Sequence, residues 1–521
     1  MYSSFKLIYF IAFQIFLLVF IVIFNQSNFF QPVSLVYPYC CFILGLVIWF
    51  FTSWRFLTNQ AFHPYIIFLI SAILFNGGQA ILEVFHLNQN GLLKSHFSDE
   101  TLVRTLFFTS ICFSAFHLGA LLSLGAVNIA HSLKKPQLSY IQSKRRRLNK
   151  RATDEIPLTT EKYSRGQLEQ DTPLDTTKGS AIVGWALTSI SFLPSIYVFF
   201  QSLKVVITSG YQGLYQGDQE TSVAAAPAVL ATFVIPAVMF LLAGSQPPNR
   251  PPKKRTQIFA VVLMVLYILS NIVIGQRRNV ATRLVAFTWL WHTWVRKIPG
   301  SLIVIGGLSL TILFPIIAAT RNMVGADRTS FLTVLTSLLG SKNPVFLTLN
   351  EMGGSMMTVA YTIELIPSTR PFQMGADYFY AFFTLVPNLF WKIHPTIARG
   401  LAGTWLTWQI DPEFASRGGG YGFSFIAEAF MNFGWVGGPI TLGVFGFFFT
   451  LVTLWAVNSS SAARMAMIGT FTAFLPFYAR SELALHVRAL VWYAVIPYAA
   501  AVYLSRNSEN NLRPRLKRRF P

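Results

Sequence analysis

Long runs of hydrophobic residues, separated by short polar segments, dominate this chain. A run of roughly 17 to 25 apolar residues is long enough for one helix to cross a bilayer. The first run lacks a small-residue cleavage site near its end, which indicates a retained span. We therefore expect an all-α fold, a polytopic membrane helix bundle. By length we predict about twelve spans, at 7–24, 35–54, 63–82, 102–126, 180–200, 224–243, 257–275, 279–295, 301–319, 434–457, 465–480 and 488–504.

The composition agrees with a membrane protein. Of the 521 residues, 53% are hydrophobic and only 12% are charged, which is about half the charge of a soluble domain. The net charge of +21 would suggest nucleic-acid binding in a soluble protein, but here basic cytoplasmic loops explain it. The cysteines all lie in apolar runs, and no His pair has the spacing of metal ligands. We expect no disulfide, no metal, no cofactor and no nucleic-acid partner.

Basic segments set the expected orientation. Lys and Arg cluster in 131–178, in the loop 245–256 and in the tail after Arg506, and an even number of predicted spans separates these segments. Their shared side should be the cytoplasm, so we predict that both termini are cytoplasmic. We interpret 131–178 as a disordered loop that touches anionic membrane lipid, with partner binding as the alternative. The expected organisation is four spans in 1–130, this basic loop, five spans in 179–319, a large outer segment in 320–433, three spans in 434–505 and a basic tail in 506–521.

The outer segment 320–433 is too apolar for a free loop. Its aromatic residues, among them Trp405 and Trp408, suit helices that lie in the membrane interface. Two additional spans at 344–366 and 372–391 are the alternative, which the acidic residues inside both runs disfavour.

The stretch 418–438 combines glycines with a polar helix start. Glu428 and Asn432 are four residues apart, so their side chains share one helix face. A carboxylate and an amide at the mouth of a membrane helix are costly to bury without a partner, which makes this junction a candidate site. A loop that only caps a helix is the alternative.

Arginines gather at the predicted outer boundary of the membrane. Any one of them alone could contact lipid headgroups or form a simple ion pair. Together they outnumber the acidic residues beside them, so an anionic ligand would offset their mutual repulsion. They are Arg277, Arg278, Arg283, Arg321, Arg328 and Arg480, the last with Glu482 two residues on.

Three motifs of the second half follow one another in a familiar order. They are Gly-Gln-Arg-Arg at 275–278, Gly-Phe-Ser-Phe-Ile-Ala-Glu-Ala-Phe-Met-Asn-Phe-Gly-Trp-Val-Gly at 422–437 and Arg-Ser-Glu at 480–482. This order resembles the O-antigen polymerase family, the Wzy-type oligosaccharide repeat unit polymerases, from about residue 257 onward. The second motif is the most specific. Many relatives have Arg-Gly-Asp where this chain has Arg-Ser-Glu, which keeps the order of the charges.

The resemblance implies an integral-membrane glycosyltransferase of GT-C type. Such enzymes join oligosaccharide units carried on undecaprenyl pyrophosphate at the periplasmic face of the cell inner membrane, without metal or nucleotide sugar. Flippase and chain-length regulator proteins are the implied partners. Arginines would stabilise the departing pyrophosphate in place of a divalent ion. We predict a catalytic role for Arg277, Arg278, Arg321, Glu428 and Arg480, and substrate contacts for Arg283, Arg328, Trp405, Trp408, Arg417, Asn432 and Glu482.

Glu428 has two predicted roles under this resemblance. It either accepts the proton of the attacking sugar hydroxyl or orients an arginine. Two other functions also remain open for the chain. A ligase-type transferase, which moves finished polymer onto another acceptor, uses a similar outer arginine cluster. A transporter or flippase of lipid-linked sugars would instead expose polar residues through the bilayer midplane.

Overall fold

The computed structural model describes residues 4–27, 35–88, 91–152, 174–215, 226–248, 251–320, 344–388 and 391–519. Within these ranges the regular structure is helical and contains no strand, which confirms the all-α prediction. The first nine α-helices are α1 (Ser4–Ser27), α2 (Val36–Thr58), α3 (Pro64–Asn76), α4 (Gly78–Val84), α5 (Asp99–Ala152), α6 (Thr177–Ser209), α7 (Ala226–Thr232), α8 (Val234–Gly244) and α9 (Lys254–Ile274).

The second half contains longer helices at both ends and short helices between them. The helices are α10 (Arg277–Leu290), α11 (Gly300–Thr320), α12 (Pro344–Met352), α13 (Ser355–Leu365), α14 (Ala376–Ala381), α15 (Pro395–Arg399), α16 (Ala402–Ile410), α17 (Pro412–Ser416), α18 (Phe425–Val457), α19 (Ala462–Phe474), α20 (Val487–Leu490) and α21 (Ile496–Arg519). Turns of 3₁₀ or π helix lie at Leu92–Ser95, Tyr211–Tyr215, Trp291–Val295, Phe382–Leu385, Leu475–Arg480, Leu483–Leu485 and Val491–Val495.

Eight helical stretches of the described chain are long and apolar enough to cross a membrane. The pair α3 and α4 passes the same test as one unit, although it is bent by 67°. The structure therefore supports a multi-pass membrane protein with eight candidate spans, or nine if the bent pair is one span. The eight are Phe5–Gln26, Val36–Thr58, Asp99–Ala130, Thr177–Ser209, Ala226–Gly244, Lys254–Ile274, Phe425–Val457 and Leu483–Ser508.

Three of the predicted spans correspond to shorter apolar helices. α10 has 14 residues before a π turn, and α19 has 13 residues before a 3₁₀ turn. Pro476 lies at the start of that 3₁₀ turn and cannot donate to the helical ladder, which explains why α19 ends there. In the run predicted at 301–319, α11 extends from Gly300 to Thr320, and its part Gly300–Leu310 is the shorter apolar helix. The count of twelve is therefore not confirmed.

Helix α18 begins nine residues before the predicted span at 434–457. Ser424 caps it, because the Ser424 hydroxyl oxygen accepts hydrogen bonds from the backbone N–H groups of Ile426 (3.0 Å) and Ala427 (3.4 Å). Gly434 interrupts the helix with a positive φ of 64°, a conformation that glycine adopts without a Cβ penalty. The helix is therefore kinked at Gly434, between the first turns, which carry Glu428 and Asn432, and the apolar remainder.

Close packing joins α18 to α5. A Cβ on Gly119 would lie only 2.0 Å from the carbonyl oxygen of Gly443. Only glycine allows the two backbones to approach this closely, in the way that small residues serve packed membrane helices. α5 itself continues to Ala152, into the segment predicted as disordered; residues 153–173 lie outside the described chain.

Between α11 and α18 the described chain forms short helices of 5 to 11 residues, α12 to α17. None of these reaches the length of a membrane span. Two of them, α15 and α17, begin with a proline after a residue whose side chain accepts a hydrogen bond from the first turn, His394 and Asp411. This region supplies several polar groups of the candidate site.

The arginine motifs and the basic segments lie at opposite ends of the same helices. α9 begins at Lys254 beside the basic loop and ends at Ile274, about 30 Å away and just before Arg277. The last span begins at Leu483, shortly after Arg480, and leads into the basic tail. The start of the first helix lies at the same end as a basic segment, because Leu7 is next to Gly125, in the half of α5 that leads into the basic residues after 131.

Candidate active site around the start of α18

Three polar residues follow one another at intervals of four along the start of α18. Ser424, Glu428 and Asn432 are all at most 1% exposed. At this spacing the three side chains form a stripe along one side of the helix. Each of them binds a different distant segment of the chain, so the stripe connects regions that are far apart in the sequence.

The first member, Ser424, contacts the end of α3. Its hydroxyl donates to Asn76 Oδ1 at 2.5 Å, and Asn76 Nδ2 donates to the carbonyl oxygen of Ala479 at 2.8 Å. Asn76 is fully buried. A short polar chain thus joins α18, α3 and the residue directly before Arg480.

Glu428 binds both sides of the segment 475–486, which we call the hairpin. Its Oε2 accepts from the Tyr478 hydroxyl at 2.9 Å. The backbone N–H of Leu483 donates to both carboxylate oxygens, at 3.0 and 3.1 Å. Because Tyr478 and Leu483 flank Arg480, the buried carboxylate fixes the part of the chain that carries this arginine.

Asn432 binds the segment around Asp377. Its Nδ2 donates to Asp377 Oδ2 at 3.2 Å, and its Oδ1 accepts from the backbone N–H of Asp377 at 3.3 Å. The backbone carbonyls of Met431 and Asn432 accept from Gln373 and Met374 at 3.0 and 2.9 Å. This segment is therefore tied to α18 by side chain and backbone together.

Two arginines surround Asp377 and Gln373. Arg399 Nε donates to Asp377 Oδ1 at 2.9 Å, and Arg399 Nη2 donates to Gln373 Oε1 at 2.6 Å. Arg370 Nη2 donates to the same Gln373 oxygen at 3.1 Å. We call Arg370 and Arg399 the loop group.

Each arginine of the loop group also lies over an aromatic ring. The guanidinium carbon of Arg370 is 5.1 Å from the ring centroid of Trp405, and that of Arg399 is 5.0 Å from the ring centroid of Tyr380. Both distances are within cation–π range. Trp405, predicted as a substrate contact, therefore lies in a cationic environment.

A second pair of arginines lies over one ring of the hairpin and one ring of α3. Arg278 is 3.8 Å from the ring centroid of Phe477, and Arg480 is 5.6 Å from that of Phe75. The two rings pack edge to face with centroids 6.2 Å apart. The structure thus places two of the predicted catalytic arginines, 202 positions apart in the sequence, over adjoining rings, and we call Arg278 and Arg480 the hairpin group.

Arg283 extends this cluster into the protein. It is 5% exposed, and its guanidinium lies 4.6 Å from the ring centroid of Phe474. Its Nη1 donates to Thr282 Oγ1 at 2.6 Å, while its Nε has no hydrogen-bond partner among the described residues. A buried guanidinium with an unused donor is costly, which is typical of a site with a role beyond packing.

Gly422 makes room for Arg480. A Cβ at this position would lie 2.3 Å from Arg480 Nε. The φ angle of Gly422 is also positive, at 71°, which L-residues with a side chain rarely adopt. The first glycine of the motif at 422–437 therefore has two local reasons to be glycine.

Glu482 lies at the amino end of α16. Its Oε2 accepts from the backbone N–H of Ala402 at 2.7 Å and its Oε1 from that of Gly403 at 3.4 Å. Burial raises the pKa of Glu482 to about 7, and these backbone donors and the charge of Arg370 oppose that rise. Glu482 therefore links the hairpin to the loop group and titrates near neutral pH.

Other predicted site residues have different surroundings. Arg277 forms a bidentate ion pair with Glu351 on α12, with 2.8 Å between Nη1 and Oε2. Arg417 pairs with Glu413 one turn away, at 3.5 Å and on the surface, and Trp408 is 48% exposed. Arg321 and Arg328 lie outside the described residues.

The sequence interpretation missed the loop group and its partners. Arg370, Gln373, Asp377 and Arg399 carry no motif, and they meet only because Asn432 and the backbone of α18 hold their segment. The sequence feature that could have indicated this group is the pair of arginines in the aromatic-rich segment 320–433. In the described chain, no group of three His, Cys, Asp or Glu side chains is arranged to hold a metal ion.

The fold and this geometry define a class: a multi-pass helical membrane protein with arginines on aromatic rings and a buried carboxylate that binds the hairpin of one of them. The model of the O-antigen polysaccharide polymerase Wzy family matches residues 7–153 and 158–510. The chain therefore belongs to this family, and the similarity extends well beyond the second half of the sequence. No curated protein and no solved structure matches the chain.

Proposed function

We propose that this protein polymerises oligosaccharide repeat units carried on undecaprenyl pyrophosphate into O-antigen, capsule or exopolysaccharide. The reaction takes place at the periplasmic face of the cell inner membrane, and it is a glycosyl transfer that needs no metal. One observation supports this most: in a chain of the Wzy family, Arg278 and Arg480 lie over the adjoining rings of Phe477 and Phe75, and the buried Glu428 binds the hairpin on both sides of Arg480.

The orientation of the helices supports the periplasmic placement. Basic segments mark the cytoplasmic side of a membrane protein. α9 and the last span have the arginine clusters at one end and basic segments at the other. With the basic ends in the cytoplasm, both termini are cytoplasmic and the site faces the periplasm. A GT-C type of architecture with about twelve spans is part of the same proposal.

In the proposed reaction, a hydroxyl of the acceptor sugar attacks the anomeric carbon of the donor. The new glycosidic C–O bond forms as the bond to pyrophosphate breaks, and the lipid pyrophosphate leaves with the bonding electrons. Guanidinium groups stabilise the charge that develops on this leaving group, since they present paired donors to phosphate oxygens. We assign this task to Arg278 and Arg480, with Arg277 and Arg321 as further members of the clamp.

The proton of the attacking hydroxyl passes to a carboxylate. Two buried carboxylates of the described chain are candidates: Glu482 belongs to the hairpin of Arg480, and Glu428 binds that hairpin. Both oxygens of Glu428 already accept hydrogen bonds from Tyr478 and Leu483. This geometry favours the second predicted role of Glu428, which is to orient the arginine of the hairpin.

The test replaces the gene in its native cell with one encoding Arg480→Ala. We expect single repeat units on the lipid carrier in place of a polymer ladder, with the protein present at normal amounts in the membrane. Arg480→Lys should also be impaired, because a point charge lacks the planar fork. A normal ladder from Arg480→Ala would contradict the proposal.

The same experiment separates the competing functions. If the protein were a ligase, long polymer would accumulate on undecaprenyl pyrophosphate. If it were a flippase, vesicles containing the purified protein would move lipid-linked units across the bilayer without forming a glycosidic bond. Proteins that set chain length or deliver the units across the membrane are the partners that the proposal expects.

A further inference from the structure

We propose that the loop group, Arg370 and Arg399, is a second anion-binding site, distinct from the hairpin group. Its ligand is an anionic group of the lipid-linked oligosaccharide, either a phosphate of the lipid diphosphate or the carboxylate of an acidic sugar. The identity of the molecule that carries the anion rests on the proposed function, whereas the binding site itself follows from the geometry.

The two guanidinium groups converge on one neutral acceptor. Arg370 and Arg399 both donate to Gln373 Oε1, at 3.1 and 2.6 Å. Sharing one amide oxygen holds two positive charges close together, so they repel each other. Such an arrangement is stable only where other charges offset the repulsion or where an anion binds.

Two carboxylates, Asp377 and Glu482, lie near the two arginines, but neither forms an ion pair with Arg370. Asp377 is paired with Arg399 and is also held by Asn432. Within the described part of the chain, no carboxylate lies within ion-pair distance of Arg370. Glu482 faces Arg370, but its oxygens are bound to backbone N–H groups of α16.

Burial and the charge of Arg399 both act against the charged form of Arg370. Burial is the largest cause that lowers the Arg370 pKa, and Arg399 lowers it further, whereas Asp377 and Glu482 oppose the lowering. A bound anion would reverse this balance, because an opposite charge within a few ångströms stabilises a cation. The pKa direction therefore agrees with the geometric argument.

Aromatic rings hold the two cations in a fixed orientation. Arg370 lies over Trp405 and Arg399 over Tyr380. Guanidinium groups stacked on rings keep their in-plane donors available for bidentate contacts to phosphate or carboxylate. The rings of Trp405 and Tyr380 are both partly exposed, so they also offer apolar surface for a sugar next to the charged group.

The place of the loop group separates it from the leaving-group site. Arg480 contacts Phe75, whereas Glu482, two residues later, contacts α16 and faces Arg370. Two residues of the hairpin thus have different surroundings, Arg480 at the Phe75 ring and Glu482 at α16 near Arg370. A substrate carrying several charges, or two substrates held at once, can occupy both.

Binding to the purified full-length protein in lipid nanodiscs tests the inference without relying on polymerisation. One arm measures the Kd of undecaprenyl pyrophosphate, and the other measures the Kd of a digalacturonic acid. Variants are Arg370→Gln, Arg399→Gln and the double variant. Arg104→Ala is the matched control, because Arg104 is an exposed arginine paired with Glu100 in the same helix, with a side chain 54% exposed.

We expect the double variant to weaken binding of one of the two probes by roughly tenfold or more, since each charge-assisted hydrogen bond contributes substantially. Weaker binding of undecaprenyl pyrophosphate identifies a phosphate site, and weaker binding of the digalacturonic acid identifies a site for acidic sugar. Arg370→Lys, which keeps the charge, should recover part of the loss, whereas a purely structural defect would not respond to charge.

Unchanged Kd values for both probes in the double variant, with Arg104→Ala as reference, would overturn the inference. A loss that Arg370→Lys does not recover in any part would also overturn it. The polymerase proposal is judged separately by the ladder of Arg480→Ala cells. Normal binding by the double variant together with loss of the ladder in Arg480→Ala cells would therefore reject only the second site.

Discussion

The hairpin group and the loop group each place two arginines over aromatic rings, but the rings and the supporting segments differ. Arg278 and Arg480 lie on a helix start and a tight hairpin against two phenylalanine rings, whereas Arg370 and Arg399 lie on short outer segments against Trp and Tyr rings. Phenylalanine offers only an apolar face, while Trp and Tyr also suit an interface with water and sugar. The surroundings of the hairpin group are therefore suited to a lipid headgroup, and those of the loop group are suited to a polar ligand.

Both groups nevertheless depend on the same two turns of α18. Glu428 holds the hairpin on either side of Arg480, and Asn432 holds Asp377, which pairs with Arg399. Glu428 therefore supports the hairpin group, and Asn432, four residues later, supports the loop group. Substitutions at Glu428 should therefore damage the hairpin group, and substitutions at Asn432 should damage the loop group.

The largest effect is expected from Glu428→Ala. The substitution removes the acceptor of the buried Tyr478 hydroxyl and the Leu483 N–H. An unsatisfied buried donor costs about 1–3 kcal/mol, so the hairpin should shift and carry Arg480 with it. We expect polymer yield in cells to fall by roughly a hundredfold, at about 1.4 kcal/mol for each factor of ten. The measurement is the polymer ladder normalised to membrane protein by immunoblot.

Glu428→Gln distinguishes the two predicted roles of this residue. Glutamine keeps an oxygen that can accept from Leu483, so a positioning role leaves at least a tenth of the wild-type yield. A general base, by contrast, loses its function completely in the amide. A Gln variant as inactive as the Ala variant, with equal amounts of folded protein, would therefore return Glu428 to the base role.

The second effect concerns the loop group. Asn432→Asp places two carboxylates against each other, since Asn432 Nδ2 now donates to Asp377 Oδ2. We expect polymer yield to fall by roughly twentyfold because like charges at this distance repel. Asp377→Asn in the same chain restores a donor opposite the new carboxylate and should recover a several-fold part of the yield. A double variant no better than Asn432→Asp alone would mean that this contact is not what couples the two positions.

The pattern of the sequence predicted the helical membrane architecture and the shared face of Glu428 and Asn432, because helix periodicity is local. It did not predict that α18 begins at Phe425, since the capping hydrogen bonds of Ser424 depend on backbone geometry. The partners of the stripe lie 50 to 55 positions from Glu428 and Asn432. No local spacing contains that information.

The arginines show the same limit. Hydrophobic patterning predicted Arg278 and Arg480 at the ends of membrane spans, and in the structure they lie over adjoining rings. Arg370 and Arg399 were overlooked because their proximity results from the folding of short helices onto α18. The roles of all four arginines stay predictions until the variants are measured.

A smaller effect is expected from Gly422→Ala, which affects the hairpin group alone. The new methyl group would lie 2.3 Å from Arg480 Nε at a position with φ of 71°. The arginine must move, and the backbone is strained by about 1–2 kcal/mol. We expect polymer yield to fall by roughly tenfold. Gly420→Ala is the matched control, because a methyl group there meets nothing within 4 Å.

An equal loss in Gly420→Ala and Gly422→Ala would show that the glycine-rich segment needs flexibility rather than room for Arg480. The Kd for the probe of the loop group should be unchanged in both variants. This pair therefore sharpens the distinction between the two arginine groups from the side of the hairpin.

The smallest effect is a pH dependence of anion binding at the loop group. Arg370, Asp377 and Glu428 are the charged groups that face Glu482. Since burial raises the pKa of Glu482 to about 7, the carboxyl is mainly neutral at pH 6 and mainly negative at pH 8. The negative form partly neutralises Arg370, so anion affinity should decrease about threefold as the pH rises through 7.

Glu482→Gln should remove this change, because the amide does not titrate but still offers an oxygen to the N–H groups of Ala402 and Gly403. Its anion affinity should equal that of the wild type at pH 6 and exceed it at pH 8. The measurement is the Kd of the responsive probe in nanodiscs from pH 6 to pH 8. A wild-type affinity that is flat across this range, or that increases with pH, would show that Glu482 does not control the charge beside Arg370. The two arginine groups would then differ only in their rings and their attachments to α18.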